Sequence, residues 1–300
     1  MGELKDILHD LEPSLGPVGE GPRPLEGGIT NRNYRVQLGG TEYVLRLHGK
    51  DTALLGISRE AERIANAAAA ELGIAPAVAA TFEGGLLTRF IACTTLEPRE
   101  IAGRAEEIAR ALRAFHDTRV ALPAAFWVPD LLEDYAAIIA ARGGSLPPSY
   151  EQARTIAARI AAALPGSEPR PCHNDLLAGN LVLERDAGRV MIVDWEYAGM
   201  GHPCFDLGNL SVNNDFDDAA DERLLGAYHG TTPSRAQRAT LKLMRVLSDV
   251  REAAWGVMQG CVSDLDFDFD SYAERHFARL RRALDGGRLA EWLAAAGPGA

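Results

Sequence analysis

The chain has 300 residues, 47% hydrophobic and 24% charged, with a formal net charge of −11, enough apolar content for one large core or two lobes. The acidic balance disfavours a nucleic-acid partner, which selects for a basic face. No run approaches the roughly 18 uninterrupted apolar residues of a membrane helix, and the acid-containing start lacks the pattern of a secretion signal, so no membrane partner and a cytoplasmic location are expected.

Residues 3–11 suit a short amphipathic helix, after which proline and glycine interrupt the chain as far as Pro24. From Leu25 the pattern becomes strand–turn–strand. NYRVQL alternates, Gly39-Gly40 turns, and TEYVLRL alternates again, with Tyr43, Leu45 and Leu47 on one face and Val44 and Arg46 on the other. A helix is predicted over 58–72, with Ser58 as N-cap, Glu60 and Glu62 in the first turn and Gly73 as the stop. Apolar runs at 77–82 and 85–91 read as two more strands. Beyond Leu96 the signal is mainly helical: 101–116, then 151–163 after the loop at Gly143-Gly144 and Pro147-Pro148, and finally from about Ala219 to Ala296. Between Arg170 and Asp194 two short strands flank a turn at 186–189. The expected fold class is α+β and bilobal, with a small β-rich N-terminal lobe (1–91) and a larger, mainly helical C-terminal lobe (92–300). Cys93, Cys172, Cys204 and Cys261 form no CxxC pair, which argues for reduced, structural thiols. Cys172, beside the motif described next, is expected to be open to thiol reagents.

The segment His173-Asn174-Asp175-Leu-Leu-Ala-Gly-Asn180 carries the strongest chemical signal. A carboxylate is followed five residues later by a carboxamide, then by the strand LVLE, a turn, and the strand VMIV ending at Asp194. A hairpin of this kind returns Asp194 to the neighbourhood of Asn180. One aspartate is then free to accept a hydroxyl proton while Asn180 and Asp194 converge on a cation, the division of labour that phosphoryl transfer needs.

These motifs resemble the aminoglycoside phosphotransferase and choline kinase superfamily, whose fold is protein-kinase-like. GGITNRNYRV, FDLGN and the stretch WGVMQ…LDFDF…YAERHF look more like the choline/ethanolamine kinase branch. The resemblance implies an ATP- and Mg²⁺-dependent kinase for a small, cationic alcohol. Asp175 would be its catalytic base, and Asn180 and Asp194 its metal ligands. Gly27, Gly28 and Asn31 would belong to the phosphate-covering turn. Arg46 would stand in place of a phosphate-binding lysine, held by Glu60 on the following helix; Glu62 points about 200° away from Glu60. The backbone of Arg89 and Ile91 would bind adenine, with Phe90 packed nearby. His173 would support the catalytic loop by hydrogen bonds, and Asp206 would brace it. For the acceptor, the matching residues are Trp255, Phe269 and Tyr272, with Asp215, Asp217 and Asp218 as acids. Asn213 and Glu252 depart from the branch's pattern, which leaves choline itself open. The alternatives are an aminoglycoside phosphotransferase and, from another class, a non-catalytic nucleotide-binding relic. Oligomeric state stays open, a dimer included.

Overall fold

The computed structural model describes residues 2–25, 31–49, 56–164 and 166–296. Within them the alternating stretches pair as the period-two pattern dictates. The strands β1 (Arg23–Leu25), β2 (Arg32–Leu38), β3 (Thr41–Leu47), β4 (Val78–Phe82) and β5 (Gly85–Arg89) form one antiparallel sheet in the order β1-β2-β3-β5-β4. Gly39 and Gly40 turn β2 into β3 with φ of +56° and +77°, values that favour glycine. Tyr43, Leu45 and Leu47 lie buried with Val36, Leu38 and Leu87 beneath Leu8 and Leu11 of α1 (Gly2–Leu15), which runs beyond the predicted 3–11 and through Pro13. The opposite face of β3 carries Val44 and Arg46 into a cleft.

Helix α2 (Arg59–Glu71) begins where the sequence indicates. The Ser58 side chain accepts the Ala61 N–H, and Gly73 follows the end of the helix at φ +72°. Ala61, Ala65 and Ala69 recur every fourth residue and bury one stripe. That stripe shares a core with Ile101, Leu112 and Ile192 from beyond residue 91, so apolar packing runs continuously past the chain crossing.

The remainder is mostly helical: β6 (Cys93–Thr95), α3 (Pro98–Gly103), α4 (Ala105–Asp117), α5 (Val128–Ala141), α6 (Pro148–Ala163), β7 (Arg170–Cys172), β8 (Leu181–Glu184), β9 (Val190–Ile192), β10 (Gly199–Gly201), α7 (Pro203–Asn213), α8 (Asp218–His229), α9 (Arg235–Val262), α10 (Phe269–Leu284) and α11 (Arg288–Ala296). The helix predicted over 101–116 is broken at Arg104, where φ −108° and ψ 17° leave the helical region after Gly103. β8 and β9 are the predicted pair; β6 joins them at the β8 edge, and β7 pairs separately with β10. α7 is absent from the sequence reading. The 28-residue α9 is the axis of this half, packed with α5, α6, α10 and α11 around Leu243, Leu247, Val250 and Met258. No helix among the described residues is long and apolar enough to cross a membrane.

Candidate active site

The loop that carries Asp175 lies between β7 and β8 and is held from beneath. Buried Asp206, in the first turn of α7, accepts the N–H groups of His173 (2.8 Å) and Asn174 (2.7 Å) on one side and His116 Nε2 (3.0 Å) on the other. Burial alone would favour the protonated acid, but the bond to His116 and its charge, with the hydrogen bond from the His173 backbone, hold Asp206 below the usual carboxylate range. His173 stays neutral because burial lowers its pKa. Its Nε2–H donates to the Val193 carbonyl (3.0 Å) and its Nδ1 accepts the Asp175 N–H (3.2 Å), so the ring links the loop to the strand leading to Asp194. Asn174 and Asp194 both have left-handed backbone, with φ of +67° and +65°, a cost tolerated where the surroundings over-determine the conformation.

The hairpin brings the three chemical residues together. The Val193 N–H donates to the Asn180 carbonyl (2.9 Å), which sets Asp194 beside Asn180. Asn180 Nδ2 donates to the Asp175 carbonyl (2.7 Å) and approaches its Oδ2 (3.2 Å). Asp175 is 8% exposed. Burial pushes its carboxyl up to about 7; the Arg251 guanidinium pulls the value down, while Glu252, Asp194 and Glu196 push it up. The value suits a proton acceptor working near neutrality.

Across the cleft, Arg46 donates through Nη1 to Asp194 Oδ1 (2.6 Å) and to Glu62 Oε1 (3.3 Å). The helical partner of Arg46 is therefore Glu62, which is buried, whereas Glu60 is exposed. The reading that favoured Glu60 fails because the first turn of α2 turns Glu62 inward and Glu60 to solvent. Arg59 joins the cluster, donating to Glu62 Oε2 (2.7 Å) and reaching Glu196 (3.4 Å). Buried Asn31 donates from Nδ2 to Glu196 Oε2 (2.8 Å). Gly27 and Gly28 lie outside the described residues. Arg59 and Glu196 were missed by the sequence reading, and only the distance of Glu196 from Asp194, two residues along the chain, offered a signal.

Beside Arg46 and Asp194 opens a cavity of about 410 Å³, lined by Val44, Leu86 and Thr88 to Ile91 on one side and by Val182 and Val193 on the other. The Arg89 N–H is used within the sheet, donating to the Ala77 carbonyl (2.8 Å), and the Phe90 N–H donates to the Glu42 carbonyl (3.0 Å). Arg35 covers the Phe90 ring with its guanidinium 4.1 Å from the centroid.

On the far side of Asp175 stands Arg251, 2% exposed and also unforeseen, with Nη1 3.2 Å from Asp175 Oδ1 and 2.8 Å from Glu252 Oε1. The Tyr272 hydroxyl donates to Glu252 Oε2 (2.7 Å), and Trp255 packs against both Phe269 and Tyr272. Glu252, Trp255, Phe269 and Tyr272 thus gather beside Asp175 and Arg251. Asp215 does not join them. It is exposed on the turn after α7 at φ +52° and lines a separate hollow with Lys242, Arg245 and Arg279. Asp217 caps α8 by accepting the Ala220 N–H, and Asp218 pairs with Lys242, so both have structural employment. Cys172 is fully buried with its thiol pKa raised well above normal by burial, which overturns the expectation of reactivity. The exposed cysteine is Cys261.

Known proteins resemble this chain in sequence and fold. Protein LicA of Haemophilus influenzae is 28% identical over 218 residues, covering 69% of this chain and 62% of LicA. Ethanolamine kinase 1 of Mus musculus is 24% identical, covering 90% of this chain and 86% of its own. The crystal structure of a choline/ethanolamine kinase family protein from Mesorhizobium loti superposes with a TM-score of 0.80 at 28% identity, covering 98% of this chain and 99% of the other. The model of the phosphotransferase enzyme family matches residues 22–241, and the chain belongs to that family.

Proposed function

We propose that the protein transfers the γ-phosphoryl group of ATP to the hydroxyl of a small, cationic alcohol of the choline or ethanolamine type. The observation that carries this reading is the convergence of Asp175, Asn180 and Asp194 at the edge of a cavity faced by Arg46. The names of the relatives agree with it. Residues 1–91 would serve as its nucleotide-binding lobe and 92–300 as its catalytic and acceptor-binding lobe.

Adenine would lie against Thr88 to Ile91. With the Arg89 N–H engaged in the sheet, the Arg89 carbonyl and the Ile91 N–H form the donor–acceptor pair for its edge. Arg46, steadied by Glu62, points a permanent charge at the phosphates. The donor set suits Mg²⁺. Asn180 uses Nδ2 within the loop and keeps Oδ1, and Asp194 gives Oδ1 to Arg46 and keeps Oδ2, two hard oxygen ligands. When bound, Mg²⁺ would supply neutralisation of phosphate charge. Asp175 orients the acceptor hydroxyl and takes its proton as the new O–P bond forms and the bond to ADP breaks.

The test is ADP release from MgATP over a no-acceptor blank, with amino alcohols and aminoglycosides as acceptors. Stimulation by an amino alcohol is expected. Stimulation by aminoglycosides alone would keep the phosphotransfer chemistry and overturn the acceptor. ATP binding without stimulation by any alcohol would favour the relic reading.

A further inference from the structure

Beside Asp175, the face of Tyr197 is already occupied. The Arg251 guanidinium lies 4.4 Å from the Tyr197 ring centroid and 6.0 Å from that of Phe126, the placement by which an aromatic face holds a cation. Its Nε and Nη2 have no partner within hydrogen-bond distance and are shielded from solvent, with the buried, equally unpartnered Tyr135 hydroxyl close enough to feel the charge of Arg251. Trp255 gives its indole N–H to Tyr197 Oη (2.9 Å) and meets Phe269 and Tyr272 edge-on, with centroids at 5.8 and 5.5 Å. Arg275 stands 5.2 Å from the Tyr272 ring centroid. The chain's own arginines fill places where an incoming ammonium would find π-density.

Hydrogen-bond acceptors remain. Glu252 takes one bond on each oxygen, from Arg251 and from Tyr272, and a carboxylate has about four lone-pair sites. Such a group recognises N–H or O–H donors. A quaternary ammonium has none and must rely on aromatic faces and unscreened charge. It would find the Tyr197 face occupied and the charge of Glu252 offset by a guanidinium 2.8 Å away.

Building on the amino-alcohol reading, we propose that Arg251 is a specificity-determining residue. By occupying the Tyr197 face and bridging Asp175 to Glu252, it makes the site select alcohols that carry an N–H donor, a primary ammonium above all, and discriminate against quaternary ammonium alcohols. Arg251 acts here through Asp175, Glu252 and Tyr197 and transfers no proton.

The experiment is the series ethanolamine, N-methylethanolamine, N,N-dimethylethanolamine and choline, with kcat/KM measured from ADP release at saturating MgATP. Each methyl removes one donor, and choline is expected to fall at least about tenfold below the dimethyl compound, because a site built on hydrogen bonds penalises their complete loss. The charge-balanced double variant Arg251→Met, Glu252→Gln uncovers the Tyr197 face and should raise the choline-to-ethanolamine ratio about tenfold or more. Arg251→Lys keeps a cation and should keep the discrimination. Choline equal to or better than ethanolamine in the unaltered protein overturns this inference and leaves the kinase reading standing, as does a ratio unmoved in a folded double variant. Should the double variant fail to fold, the methylation series decides alone. Absence of stimulation by all four alcohols overturns the inference together with the amino-alcohol reading.

Discussion

Asp175 can act as a base only while ionised, and burial among Glu252, Asp194 and Glu196 holds its pKa near 7. In the free enzyme kcat/KM for the acceptor should therefore fall about tenfold per pH unit below 7. The stability effect has the opposite direction. A carboxyl whose folded pKa is raised contributes stability that is full below the unfolded value of 3.8 and lost as pH rises through about 7. Asp175→Asn should accordingly lower kcat by about 10²–10⁴-fold while melting above the unaltered protein at pH 8, with the advantage shrinking towards pH 5. A pH series of rates and melting curves measures both. Glu62→Gln should raise the KM for ATP about tenfold, the loss of one charge-assisted hydrogen bond to Arg46, whereas Glu60→Gln should stay within about twofold. Steady-state titration of ATP separates them. The motif residues Asp175, Asn180 and Asp194 were legible because spacing alone places them on one hairpin. The choice between Glu60 and Glu62 was not, since both sit in the first turn of α2 and only the docking of that helix decides which faces in. Arg251 was invisible for a related reason: an arginine in a helix reads as a solvated residue until the partner across the cleft is known.

At the scale of elements, the loop that carries Asp175 is suspended from α7 rather than stabilised by its own turns. Asp206 satisfies two consecutive loop N–H groups and His116, all within the core. Removing it with Asp206→Ala leaves buried donors unpaired and should cost about 3–5 kcal/mol in urea unfolding. It should also depress kcat more than the KM for ATP, because the loop moves while the Arg46 cluster does not. The sheet, the Gly39-Gly40 turn and the cap of α2 were legible in the sequence, since each rests on local chemistry: alternation, positive φ, a serine ahead of a helix. The break between α3 and α4 at Arg104 and the existence of α7 were not. Both are settled by packing, and FDLGN was legible only as a motif.

Over the whole molecule, the apolar core runs from α2 into the β8–β9 hairpin, and the cavity beside Arg46 and Asp194 is lined from both halves. Polar links also span the cleft, from Arg46 to Asp194 and from Asn31 and Arg59 to Glu196. MgATP at a hundred times its Kd should stabilise the protein by about 2.7 kcal/mol, read as a rise in Tm, and Arg46→Met should abolish most of that rise. On the acceptor side, Arg251, Glu252 and Trp255 come from neighbouring turns of the single helix α9, while the residues proposed for ATP lie elsewhere in the chain. A library confined to the codons of Glu252 and Trp255 would therefore sample acceptor preference with Asp175, Asn180, Asp194 and Arg46 unchanged, whereas a change at Arg251 would also alter the charge beside Asp175. Gene copies could drift along this one stretch towards different alcohols without having to reinvent the chemistry.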